Sequence, residues 1–207
     1  MMRAAIAASL VLLSAVTATA QPSSCALGNL AACQSSNELF WGPPKKSGKP
    51  MPRREFREAL ATFLHGAPLL YLGKIGFSAS QVASGALIGP GDHHDRISGG
   101  WFFDGFTPHD AQERGAVLFD AGGAIKLVAL LNVETDKAGP DPGTEDMNHY
   151  RLRIYSHGKA DAANIRLLQN WAGYTIQSDN RRNSQTREIL VGTEFVTLQD
   201  NQWRHAP

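Results

Sequence analysis

The chain has 207 residues, of which 43% are hydrophobic and 19% charged, enough apolar material for one good core. Its 20 basic and 19 acidic residues nearly cancel. With no basic stripe, nucleic acid is excluded as the main partner, and attraction to a charged protein has to come from a local patch.

Residues 1–20 read as a secretory signal. Arg3 supplies the positive start, Ala4 to Val16 form a short apolar run, and Ala18-Thr19-Ala20 fits the small-x-small cleavage pattern. The mature chain is expected to begin at Gln21, in the periplasm or outside the cell. The apolar run falls short of the ~20 residues a membrane span needs, so no stable membrane anchor is expected. Leu30-Ala31-Ala32-Cys33 resembles a lipoprotein box but lies well beyond the apolar run it should follow.

Export gives meaning to Cys25 and Cys33, the two cysteines of the chain. An even, closely spaced pair in an oxidising compartment is expected to bridge. The loop is short, so the gain is on the order of 2–3 kcal/mol. The bridge is expected to staple the N-terminal segment and nothing more. The spacing fits no zinc motif.

Residues 21–52 read as a Ser/Ala-rich lead followed by a Pro/Gly/Lys linker over 42–50. The domain proper is expected over 53–207. Pro52 suits the first turn of a helix in which Phe56, Ala59, Leu60, Phe63 and Leu64 form an apolar stripe, ended by Gly66 and Pro68. Strands are then expected at 69–72, 83–88, 98–104, 114–120 and 124–134, the last two joined by a turn over Asp120 to Gly123. Ala138 to Asp146 reads as a surface loop. Tyr150, Leu152 and Ile154 alternate with polar residues, as in a half-buried strand. Asp161 can cap a helix that turns Ile165, Leu168 and Trp171 (or Leu167) inward and closes at Gly173. A last strand is expected over 187–198. The sum is one α+β domain: a mostly antiparallel sheet with a helix packed near each end of the sequence. A homodimer is left open.

Two polar stretches interrupt this pattern. Thr107-Pro108-His109-Asp110 lies between two strand-like runs. Pro108 fixes its own φ and holds Thr107 extended, which presents His109 at a stiff, protruding loop tip. Such a loop costs little ordering entropy on binding. Asp92-His93-His94-Asp95 suggests a metal, but adjacent residues on an extended chain point to opposite sides. His109 or His149 would have to complete the shell, and a polar loop is the reading adopted. No hydrolase elbow, zinc-protease motif or phosphate loop occurs. No cofactor, metal or enzyme activity is expected.

The order of these features resembles the Ivy family, periplasmic inhibitors of vertebrate c-type lysozyme. The resemblance rests on the helix ending Phe63-Leu64-His65-Gly66 and on Pro108-His109-Asp110. It continues through the polar step Gln112-Glu113-Arg114 and a hairpin ending in Val133-Glu134, and it spans roughly residues 53–175. It implies that His109 enters the cleft of a lysozyme and bonds to its two catalytic carboxyl groups. Asp110 would then orient the loop and Pro108 would hold the approach. The family usually closes this loop with a cysteine on each side; here Phe106 and Ala111 stand there. The target implied is c-type lysozyme, a lytic transglycosylase or a lysozyme-like toxin. The alternative is an exported enzyme or metal-binding protein built around His93, His94 and His109.

Overall fold

A computed structural model describes residues 24–41, 53–69, 76–108, 110–136, 144–183 and 187–206, with the side chains of 110–112, 134–136 and 144–148 left aside. Seven strands follow one another in sequence order across a single sheet. They are β1 His94–Ile97, β2 Gly100–Thr107, β3 Asp110–Asp120, β4 Ile125–Asp136, β5 Thr144–His157, β6 Ile189–Gln199 and β7 Gln202–Ala206. Every neighbouring pair is antiparallel except β5 and β6, which run parallel. A parallel pair needs a long crossover, and the helix α4 (Ala162–Arg182) supplies it.

Helices α1 (Ser36–Trp41), α2 (Glu55–Phe63) and α3 (Ala79–Ile88) complete the α+β fold. Phe40, Phe56, Leu60 and Leu87 pack with Phe103, Val117 and Val128 in one core. Leu168, Trp171 and Ile176 of α4 pack with Phe102, Leu118 and Leu131 in a second. Alternate residues of β2, β3, β4 and β5 feed the two cores, so the centre of the sheet is covered on both faces. That explains why 115–119 and 127–133 are buried without interruption instead of alternating. Each such aliphatic side chain contributes about 1.5–3 kcal/mol through burial.

Several local expectations meet their physical cause here. The turn after β3 closes as Gly123 N–H donates to Asp120 O, while Asp120 Oδ1 accepts from Gly122 and Ala124. Asp161 caps α4 by accepting from Ala163 N–H at 2.6 Å. Gly66 follows α2 with φ 68°, a conformation that favours glycine.

Other expectations are corrected. Ala83 to Ile88 is not a strand but the body of α3. A short apolar run does not distinguish the two states. The deciding feature is a capping box at Ser78, whose hydroxyl accepts from Gln81 N–H while Gln81 Oε1 accepts from Ser78 N–H. Gly173 does not end α4, which runs on to Arg182. The burial of Ala172, Thr175 and Ile176 around it outweighs the ~1 kcal/mol cost of a helical glycine. His94 and Asp95 lie in strand β1, not in a loop. The loop expected over 138–146 gives way to β5 at Thr144. Strand β7 went unforeseen; it pairs with β6 across Asp200 and Asn201, both at positive φ, as tight hairpins require. The signal segment 1–20, the linker 42–50 and the expected strand residues 70–72 lie outside the described residues.

The cysteine-bearing lead is also more than an appendage. Cys25 and Cys33 are bridged, with their Cα atoms 4.5 Å apart. Both are buried in the first core with Leu30, Leu39 and Phe40. Ser36 Oγ donates to Gly89 O and Asn37 Nδ2 to Ile88 O. The Arg53 guanidinium reaches back to Cys25 O. The bridge therefore closes a segment that forms part of the core.

Candidate functional site

The Pro-His-Asp stretch falls at the end of the β2–β3 hairpin. Phe106 pairs with Arg114 and Thr107 pairs with Asp110, with an irregularity in register between them. The two strands are thus joined across Pro108 and His109. Pro108 is exposed. His109 lies outside the described residues, as does the Asp110 side chain.

The stem behind this tip is tied down on both faces of the sheet. Thr107 Oγ1 donates to Glu113 Oε2 at 3.1 Å, and Glu113 is only 3% exposed. On the face of α4, the Arg114 guanidinium pairs with Asp179, and both side chains are mostly buried. The Thr107–Glu113 bond crosses the hairpin stem, and the Arg114–Asp179 pair ties β3 to α4. Beside the ion pair, Tyr150 O–H donates to Glu188 Oε1 at 3.4 Å. Burial pushes the Glu188 carboxyl above its usual range, and the Asp179 charge adds to this. Burial likewise raises the Tyr150 phenol, and Glu188 adds to it.

A second constellation lies directly behind the hairpin stem, in a cleft of about 70 Å3 between β2 and α4. Its centre is Asp104, whose side chain is 9% exposed. Asp104 Oδ1 accepts from His93 N–H at 2.8 Å. Asp104 Oδ2 accepts from Trp171 Nε1–H at 2.9 Å and faces His93 Nδ1 at 2.9 Å. In the neutral imidazole, a carboxylate facing Nδ1 favours the proton at that nitrogen and leaves Nε2 as the acceptor. Gly91 makes room for this arrangement: a Cβ there would fall 1.9 Å from Asp104 Oδ1. The sequence separates Asp104 from Trp171 by 67 residues and offers no signal that they meet. Arg114 was legible only as part of a polar step, and Asp179 not at all.

The other candidate residues scatter. His94 is exposed on β1, opposite Phe103. His149 lies on β5, paired with Ile189 of β6. Among the described residues no three His, Cys, Asp or Glu side chains gather as a metal site. Nor is any described helix long and apolar enough to cross a membrane. The chain matches no protein-family model, no curated protein and no solved structure.

Proposed function

We propose that this chain is an exported inhibitor of a lysozyme or related muramidase, acting in the periplasm or outside the cell. His109 would enter the target's catalytic cleft from a protruding tip, with Pro108 and Thr107 stiffening its approach and Asp110 orienting it. The observation that carries this proposal is the anchored β2–β3 hairpin, which joins Thr107 to Asp110 across the Pro-His pair and leaves Pro108 exposed. A stem held by Thr107–Glu113 on one face and Arg114–Asp179 on the other supports the reading, because a fixed stem lowers the entropy cost of binding. The partner is c-type lysozyme, a lytic transglycosylase or a lysozyme-like toxin. All three work on one polymer, and lysozyme itself does so with two carboxyl groups that an imidazolium can bridge.

The test is the turbidity of a cell-wall suspension treated with each enzyme class in turn and graded amounts of the mature protein. Slowed clearing by one class identifies the target. Undiminished lysis by all three would sink the proposal.

A further inference from the structure

We propose that the cleft between β2 and α4 is a binding site for a neutral, hydroxyl-rich ligand, a sugar residue, with His93 Nε2 as its principal hydrogen-bond acceptor. This proposal stands apart from the muramidase reading and does not depend on it.

The charge inventory of the cleft selects the class of ligand. Its carboxylates are Asp92, Asp104 and Asp179, and its guanidiniums are Arg114 and Arg182. Arg114 is spent on Asp179, and Arg182 lies 4.0 Å from Asp92. The three carboxylates outnumber the two guanidiniums, so the cleft offers an anion no net attraction, although the largely exposed Arg182 is only loosely paired. A metal ion would find no ready set of ligands among the described residues. Asp104 is held in place by contacts to the His93 N–H, the His93 ring and the Trp171 indole.

What remains is a set of neutral groups. His93 is 30% exposed at its side chain, and among the described residues Nε2 has no partner. Thr175 and Ser178 line the same wall and bring one hydroxyl each, able both to donate and to accept. At the mouth stands Tyr174, 54% exposed, with its ring edge-on to His93 at 6.0 Å. An exposed aromatic face beside fixed acceptors and hydroxyls complements a ligand with many O–H groups and one apolar face. A sugar ring has that form. The cleft is small, so it takes the polar edge of one ring while the ring's body lies across Tyr174.

The geometry also explains why the dyad is built as it is. Trp171 and the His93 backbone hold Asp104 still, and Asp104 holds the imidazole in one tautomer. A fixed acceptor loses little freedom when a hydroxyl binds to it.

The experiment uses the mature chain and the trisaccharide of N-acetylglucosamine. The Trp171 indole N–H resonance, one bond from Asp104, reports on the cleft. It is expected to shift saturably with sugar in the millimolar range. Tyr174→Ala and Ser178→Ala alter exposed or half-buried side chains and should fold; each is expected to weaken the response about three- to ten-fold. His94→Ala, on exposed β1, should leave it unchanged. No shift at tens of millimolar sugar would overturn the proposal, as would a shift equal in wild type, Tyr174→Ala and Ser178→Ala. A muropeptide peptide stem that shifts the resonance where the sugar does not would overturn it too. Turbidity assays on the same samples keep this outcome separate from that of the hairpin tip.

Discussion

Arg114 of β3 and Asp179 of α4, 65 residues apart in the chain, form an ion pair at the foot of the β2–β3 hairpin. Arg114 also faces Phe106 across the hairpin, one step before the tip. The pair thus ties the hairpin stem to the helix that fills the second core. Among the described residues Arg114 Nε is buried without a partner, so the guanidinium depends on Asp179 for compensation.

Asp179→Asn should therefore destabilise the fold by about 1–3 kcal/mol, by leaving a mostly buried guanidinium uncompensated. Inhibition should weaken in parallel, because a looser stem raises the ordering cost at the tip. Urea unfolding and the turbidity assay read the two effects. A variant unchanged in both would show that the stem is held by Thr107–Glu113 alone.

His109→Ala should leave unfolding unchanged and weaken inhibition by more than about 1.5–3 kcal/mol, roughly ten-fold or more in affinity. Asp110→Ala should fall between this variant and wild type, since its proposed role is to orient. His94→Ala should match wild type. Equal inhibition by wild type and His109→Ala would move the binding surface elsewhere.

Replacing Cys25 and Cys33 by serine should cost about 2–3 kcal/mol, the loop-closure term for so short a bridge. The first core should feel the loss, because both cysteines are buried in it. Amide exchange should accelerate first in α1, whose Ser36 and Asn37 anchor to Gly89 and Ile88. Exchange faster only near residues 24–35 would restore the view of the bridge as a peripheral staple.

Asp104→Ala should be among the most damaging single changes, costing about 3–5 kcal/mol. It strands the Trp171 indole, the His93 imidazole and the His93 N–H at once. Trp171→Phe, which keeps most of the packing, should cost less. Thermal unfolding of the two variants checks the order.

Glu188 predicts a pH dependence. Its carboxyl is raised above the usual range in the folded state by burial first and Asp179 second. The folded state therefore holds this proton more tightly than the unfolded chain. The associated stability is present below the ordinary glutamate pKa of about 4.3 and is lost as pH rises through the raised value. Glu188→Gln should flatten that part of the pH–stability curve. Parallel slopes for variant and wild type, in urea midpoints taken across the acidic range, would rule Glu188 out.

Features that depend on neighbours in sequence were readable in advance. The Asp120–Gly123 turn, the Asp161 cap, the stop at Gly66 and the Cys25–Cys33 pair all rest on contacts within a few residues. The alternation of Tyr150, Leu152 and Ile154 marked a strand in the same way, but not a half-buried one: Arg153 and Tyr155 between and beside them are buried as well, because the sheet is covered on its other face. Where a signal was ambiguous, packing decided. The run from Ala83 to Ile88 belongs to a helix opened by the Ser78 capping box, and its packing against β2 and β3 buries the small residues that the apolar run alone left ambiguous. Helix α4 passed Gly173 because its far half still had a core to cover. The site was the least legible part. His93 meets Asp104 across 11 residues, Asp104 meets Trp171 across 67, and Arg114 meets Asp179 across 65. Burial makes each of those pairings worthwhile, because a polar group taken out of water must find a partner wherever the fold puts one. The chain by itself determined which short segments turn, cap, pair or bridge. Only the closing of α4 over the sheet decided which distant polar groups became partners.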